Sequence, residues 1–171
     1  SESLDGINFT SDNKVLTPFY HREFKYLGSS YALCKNKNIN SQLFHKFFTN
    51  NKKTETEYKV LYELLPSSRH TAVHVENNIL YIVYSLVGEA PERLYICKIV
   101  DWKIVSNYEL ARPELVWEGA DRPFKASQYG MALEFSNQLR DPYIYSENNQ
   151  LYLLYSYGGE SGISFGKLKK I

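Results

Sequence analysis

One sequence pattern occurs twice in this chain of 171 residues. Residues 69–89 read RHTAVHVENNILYIVYSLVGE, and residues 140–160 read RDPYIYSENNQLYLLYSYGGE, at a constant separation of 71 residues. After a deletion of two residues the match continues from 94–99 to 163–168. Self-similarity at a fixed period is typical of stacked or radial repeat folds, because each unit needs a neighbour to cover its apolar face.

Each repeat unit divides into short strands joined by polar turns. The second copy predicts strands near 141–146, 150–157 and 161–168, and the first copy predicts 70–76, 79–86 and 93–100 with a fourth strand within 101–107. The Asn-Asn pairs between strands supply the backbone freedom that tight hairpins require. No segment has a convincing helical period. The pattern therefore predicts an all-β fold made of β-propeller blades.

The repeat units also predict how the chain is organised. We expect one partial β-propeller domain over 1–171, with about three blades of a five-bladed ring. Its parts are a blade stub at 1–10, blades at 18–64 and 69–107, a long connecting loop at 108–138 and the last blade at 139–171. Rings of such blades close with at least four or five. We therefore expect missing N-terminal blades, or a partner that covers the open sheet edge.

Charge and composition exclude several classes of function. The 20 basic and 19 acidic residues leave a formal net charge of +1, which argues against a nucleic-acid partner. No run approaches the ~18 apolar residues that span a membrane, and nothing assigns a compartment. Cys34 and Cys97 lie in apolar strand-like runs and are interpreted as buried thiols. Without a C-x-x-C pair they indicate no metal or redox cofactor.

The spacing of two histidines argues against a shared metal ion. On one strand His70 and His74 would lie ~13 Å apart, at ~3.3 Å per residue. Two ligands of one zinc ion cannot be that far apart. A metal held by His70 together with residues from other blades stays open, and no cofactor is expected.

The last blade carries a resemblance to a known family. Arg140-Asp141-Pro142, followed by the strand Tyr152-Leu153-Leu154-Tyr155-Ser156, is similar to the five-bladed β-propeller glycoside hydrolases, the superfamily of arabinanases, β-xylosidases and β-fructosidases. The segments 158–163 and 117–121 share the likeness, which covers Asp5–Leu168 and is nearest to uncharacterised glycosidase-like members. It corresponds to the C-terminal part of such a propeller.

The resemblance implies three carboxylates in a central funnel: a base or nucleophile, a transition-state stabiliser and a general acid. By motif, Asp141 takes the stabilising role. In those enzymes the Arg-Asp-Pro motif usually lies in an early blade, and the base lies in the first blade. We expect that blade to lie outside these 171 residues.

Glycoside hydrolysis needs two carboxyl groups on opposite sides of the scissile bond, and one of them must be held protonated. Glu160 and Glu118 are the acid candidates beside Asp141. Glu89 recurs at the repeat position of Glu160, which favours a role in the blade turn for both. The substrate-binding candidates are residues that can orient hydroxyl or carboxylate groups or present an aromatic face: Arg22, Arg69, His70, Trp117, Asp121 and Arg140.

Several of these residues also have a structural interpretation. The arginine shared at Arg69 and Arg140 fits a contact between blades, and Trp117 fits a loop anchor. The varying residue beside that arginine, His70 in one copy and Asp141 in the other, is where specialised chemistry is expected.

The sequence therefore favours a glycoside-hydrolase-like propeller that acts on or binds an oligosaccharide in a central funnel, leaving open whether it is an enzyme. The alternative is a non-catalytic propeller segment that binds glycan or protein.

Overall fold

The structure is a computed structural model that describes residues 2–11, 20–36, 41–47, 59–60, 65 and 67–169, with 36, 41–47 and 59–60 described as backbone alone. Eleven strands and one short 3-10 helix lie in this part of the chain. None of its helices is long and apolar enough to cross a membrane. The predicted outer strand at 57–64 falls outside the described residues except for 59–60.

The strands form three separate antiparallel sheets, each built from strands consecutive in the chain. Sheet 1 contains β1 (Arg22–Tyr26), β2 (Ser29–Asn36), β3 (Ser41–Phe47) and β4 (Lys59–Val60). Sheet 2 contains β5 (Ser68–Glu76), β6 (Ile79–Leu86), β7 (Leu94–Val100) and β8 (Lys103–Ala111). Sheet 3 contains β9 (Arg140–Glu147), β10 (Gln150–Tyr157) and β11 (Gly162–Leu168). The all-β class predicted from the sequence is confirmed.

The repeated Glu-Asn-Asn segment forms the same turn in both copies. Asn77 and Asn78 have φ of 52° and 58°, and Asn148 and Asn149 have φ of 49° and 61°. Positive φ at both central residues matches the right-handed twist of the two strands, and asparagine tolerates it better than most residues. The hairpins β5–β6 and β9–β10 therefore have the same register around the turn.

Strand alternation gives sheet 2 two apolar faces, each packed on a neighbouring sheet. In β6, Ile82 and Val83 are both 0% exposed and point to opposite sides. Ile82 belongs to the core shared with sheet 1, which contains Tyr26 and Leu33. Val83 belongs to the core shared with sheet 3, which contains Leu153. The sheets are thus stacked face to face in chain order.

The first strands of the three sheets lie next to one another, since β1 contacts β5 and β5 contacts β9. They also start at the same end, at Arg22, Ser68 and Arg140. We call these the inner strands. The described sheets do not close into a ring. Their arrangement brings the beginnings of three strands to one place.

A long connection follows β8 and covers that end. Because β8 continues to Ala111, the connection starts at residue 112 rather than 108. Its backbone hydrogen-bonds to the loops of both neighbouring sheets: Ser127 N–H donates to Glu89 O at 2.9 Å, and Ser136 N–H donates to Gly158 O at 3.1 Å. Its 3-10 helix, Val116–Glu118, ends at Gly119 with φ of 91°. The connection is therefore held against sheets 2 and 3.

Candidate functional site

Two β-bulges, one at the start of β5 and one at the start of β9, bring the site together. The pairing of β5 with β6 shifts by one residue between Ser68 and Thr71, and that of β9 with β10 shifts between Arg140 and Tyr143. A bulge places two residues opposite one and redirects their side chains. On a regular strand, adjacent residues would point to opposite faces. The bulges instead bring Arg69, His70, Arg140 and Asp141 into one group.

Glu92 lies at the centre of this group. Its carboxylate is 0% exposed, and its Oε1 accepts hydrogen bonds from Arg69 Nε at 3.0 Å and Ser85 Oγ at 2.7 Å. Its Oε2 lies 3.2 Å from Arg140 Nε, an ion pair too bent for a hydrogen bond. One buried carboxylate therefore joins the arginines of two sheets. We call Arg69, His70, Glu92, Arg140, Asp141 and Glu160 the inner-strand cluster.

The backbone of the long connection completes the coordination of both arginines. Gly130 O accepts from Arg69 Nη1 at 3.1 Å and from Arg140 Nη1 at 3.2 Å, and Gln128 O accepts from Arg69 Nη2. Buried guanidinium groups need such partners, since an unpaired buried charge is costly. The shared arginine thus makes a contact between sheets, which was one of its two interpretations.

Asp141 and His70 form a polar pair across the inner strands. His70 Nδ1 lies 2.5 Å from Asp141 Oδ1, and Asp141 Oδ2 accepts a hydrogen bond from Ser156 Oγ at 3.0 Å. Burial raises the pKa of Asp141, but the contacts with His70, Ser156 and the Arg140 charge outweigh it and lower the pKa below the ordinary value. Asp141 is therefore ionised at neutral pH, with φ of 48°, a conformation that aspartate adopts more readily than most residues.

Glu160 is the second partly exposed carboxylate of the cluster. Its Oε1 lies 2.9 Å from Arg140 Nη1, and its side chain is 31% exposed, against 37% for Asp141. Glu89, its counterpart in the repeat, instead accepts from Tyr95 Oη and lies 3.6 Å from Arg93 Nε. The two equivalent glutamates thus have different partners.

Aromatic rings and a lysine border the two carboxylates. The ring of Tyr20 meets that of His70 edge to face, with centroids 4.5 Å apart. Lys35 Nζ lies 5.7 Å from the Tyr20 ring centroid and 5.6 Å from that of Tyr129. Burial raises the pKa of Tyr20, and the negative charges of Asp141 and Glu160 raise it further. Tyr20, Lys35 and Tyr129 form what we call the rim of the cluster.

The other candidate residues have separate surroundings. Glu118 Oε2 accepts from the backbone N–H groups of Glu114 and Leu115, and its Oε1 accepts from Tyr155 Oη at 2.8 Å, so it anchors its own loop. The ring of Trp117 packs edge to face on Tyr157, with centroids 5.1 Å apart.

Asp121 pairs with the neighbouring Arg122 at 3.6 Å, near the surface. Arg22 donates to His21 O at 3.1 Å and borders a cleft beside Val73 and Tyr143. None of these contacts joins them to the inner-strand cluster.

A cysteine and a glutamate of sheet 1 and a histidine just before β1 have the order of a nucleophilic triad. Cys34 Sγ lies 3.5 Å from His21 Nδ1, and His21 Nε2 lies 3.0 Å from Glu23 Oε1. However, burial raises the pKa of Cys34 to about 11, so its thiol stays protonated near neutral pH. A thiol nucleophile needs the opposite shift. Cys34 is a buried core thiol, as expected, and so is Cys97.

Sequence reasoning missed Glu92, Lys35 and Tyr129. Glu92 follows Pro91 in the β6–β7 loop. Its counterpart in the repeat is Ser161, so no carboxylate recurs at this position and the repeat did not indicate Glu92. A signal was still present, because two arginines predicted to lie between blades require a buried counter-charge. Lys35 ends an apolar strand, and Tyr129 lies in the irregular connection.

Comparison with known proteins identifies one relative. An uncharacterised protein of Acanthamoeba polyphaga mimivirus is 30% identical over 189 aligned positions, which cover 98% of this chain and 51% of that protein. The chain thus spans about half the length of the curated relative it matches. No family model matches the chain, and no solved structure matches it.

Proposed function

We propose that this chain forms part of a glycoside-hydrolase-like β-propeller and that its inner-strand cluster is the floor of a saccharide-binding site. The observation that carries the proposal is the meeting of Asp141 and Glu160, both partly exposed, with the half-exposed rings of Tyr20 and Tyr129 at the start of the inner strands. Ionised carboxylates accept hydrogen bonds from sugar hydroxyl groups, and aromatic faces pack on the apolar faces of sugar rings.

The burial of the arginines supports this division of roles. Arg69 and Arg140 are 3% and 2% exposed and both are paired with Glu92, so they position the carboxylates rather than reach a ligand. Lys35, Asp141 and Glu160 are more accessible and supply groups of both signs. The ring architecture is supported by the face-to-face stacking of three consecutive antiparallel sheets with adjacent inner strands.

Hydrolysis is the second candidate, and the lowered pKa of Asp141 favours it, because a stabilising or nucleophilic carboxylate must be charged. A general acid must be held protonated. Asp141 cannot be that acid, because its contacts with His70 and Ser156 and the nearby Arg140 charge outweigh burial and lower its pKa. Glu160 Oε1 lies 2.9 Å from Arg140 Nη1. We therefore expect the described residues to bind saccharides without cleaving them.

The test is calorimetric titration with arabino-, xylo- and fructo-oligosaccharides, followed by an assay for released reducing ends. Asp141→Asn removes the charge and keeps the shape. It should weaken binding by about 10- to 100-fold, since a hydrogen bond to a charged group contributes about 1.5–3 kcal/mol. The matched control is Asp101→Asn at the exposed β7–β8 turn, which should bind as the wild type does. Absence of binding to all three saccharide classes, or equal loss in both variants, would contradict the proposal.

A further inference from the structure

One face of sheet 3 is largely apolar and exposed, although Gln150 and Lys167 also project from it. Residues alternating along its three strands project from it: Tyr143, Tyr145, Tyr152, Leu154, Ile163 and Phe165. Tyr143 is 50% exposed, Ile163 77% and Phe165 68%. We call these six residues the open face. An exposed apolar patch of this size on a sheet is typical of an interaction surface.

The repeat shows what covers the equivalent face of sheet 2. At the separations of 71 and 69 residues, the open face corresponds to Ala72, His74, Tyr81, Val83, Leu94 and Ile96. Four of these, Ala72, Val83, Leu94 and Ile96, are at most 2% exposed. They pack against the opposite face of sheet 3, which contributes Leu153, Ile144 and Tyr155. In sheet 2, the face that corresponds to the open face is therefore already buried in an interface between two sheets.

The opposite face of sheet 2 repeats the arrangement. Ile82, the counterpart of Leu153, packs on sheet 1 in the same way that Leu153 packs on sheet 2. Two successive interfaces thus have the same arrangement. In each, the face that carries Ile82 or its counterpart Leu153 packs on the preceding sheet. Only sheet 3 has no following sheet among the described residues.

We infer that the open face is the docking surface for a fourth antiparallel sheet of the same repeat, which presents the face equivalent to Ile82 and Leu153. The inference rests on the propeller architecture proposed above and not on saccharide binding. The mimivirus relative has room for further sheets, because this chain matches only 51% of its length.

A second copy of this chain is a poorer occupant than a further repeat sheet. To dock head to tail, it would present the outward face of sheet 1. That face carries the exposed charges Glu23 and Lys25 on its inner strand, where sheet 2 carries Val73 and Val75. Charged groups placed against tyrosine and phenylalanine side chains would be desolvated without partners.

The experiment appends a second copy of residues 68–111, the whole of sheet 2, to the C-terminus of the full chain through a flexible linker. Tyrosine nitration is then followed by mass spectrometry at Tyr143 and Tyr145, with Tyr129, which is 51% exposed, as the internal control. Docking should reduce nitration of Tyr143 and Tyr145 about tenfold, as their exposure falls from 50% and 45% toward the few per cent of a buried face, and leave Tyr129 unchanged. The same fusion with Ile82→Lys in the appended copy should restore nitration.

Unchanged nitration of Tyr143 and Tyr145 in the fusion would overturn the inference. So would a parent chain that sediments as a dimer with both tyrosines already protected, because a second copy would then cover the face.

A further measurement does not depend on the folding of the appended sheet. In the parent chain, Phe165→Lys should lower the binding of an apolar dye, whereas Val105→Lys, which replaces a 55% exposed residue on β8, should not. Equal dye binding by both variants would also overturn the inference, and none of these readouts involves a saccharide.

Discussion

The buried carboxylate of Glu92 offers the sharpest test of how the inner strands are held together. Glu92→Gln keeps the shape of the side chain but removes a charge that faces Arg69 and Arg140, which are 3% and 2% exposed. Breaking a buried ion pair by removing one partner costs about 3–5 kcal/mol, because the other charge is left without compensation. Both arginines retain the Gly130 carbonyl, and Arg140 retains Glu160. We therefore expect a loss near the lower limit, about 3 kcal/mol.

The assay is urea or thermal unfolding monitored by circular dichroism. A loss of about 3 kcal/mol corresponds to a fall in Tm of roughly 6–12 °C for a domain of this size. The control is Glu109→Gln, which removes the same chemical group from pairs with Arg93 and Arg112 near the surface. Partly exposed pairs contribute about 0–1 kcal/mol. Equal destabilisation by the two variants would refute the view that burial makes the Glu92 pairs strong.

Two further predictions concern the backbone of the long connection and the charge on Asp141. A folded-state pKa below the ordinary 3.8 means that the Asp141 charge adds stability that is present above that value and lost as the pH falls through the folded pKa. The difference in stability between wild type and Asp141→Asn should therefore shrink in thermal melts as the pH falls from 5 to 2. A difference that grows on acidification would contradict a stabilising charge on Asp141. Gly119→Ala should destabilise the chain by about 2 kcal/mol or more, because the new Cβ would lie 2.3 Å from Ser136 O as well as at a positive φ. Gly88→Ala is the control, because Gly88 also has a positive φ but a Cβ there would have no atom within 4 Å. If thermal melts show equal destabilisation by the two variants, the contact with Ser136 contributes nothing.

The repeat made most of the fold predictable. Strands predicted near 141–146, 150–157 and 161–168 are found at Arg140–Glu147, Gln150–Tyr157 and Gly162–Leu168. Such elements depend on local information, namely alternation of apolar residues and an Asn-Asn pair that tolerates positive φ. The end of β8 was less predictable. Nothing in the alternation of Lys103–Ala111 marks where pairing with β7 stops, and the strand extends four residues beyond the predicted 107.

The candidate site was predictable in part, for a reason visible in its residues. Arg69, His70 and Arg140 were identified at matched positions of the repeat, and matched positions meet when the inner strands lie side by side. Asp141 was identified by the Arg-Asp-Pro motif, and Glu160 was an acid candidate although its recurrence with Glu89 favoured a turn role. Their partners in irregular segments have no such signal. Glu118 and Trp117 were proposed from the family resemblance and from the pattern of an aromatic ring beside carboxylates. They contact their own loop and β10 rather than the cluster.

The sequence by itself determined the all-β class, the period of the units and the hairpin turns, because these follow from residue alternation and local backbone preference. The tertiary structure decided which charges meet. Adjacent residues on a strand point to opposite faces, and only the bulges at the start of β5 and β9 bring Arg69 together with His70 and Arg140 together with Asp141. Glu92 joins them from a loop distant in sequence, since two buried guanidinium groups are stable only where a carboxylate and carbonyl oxygens reach them.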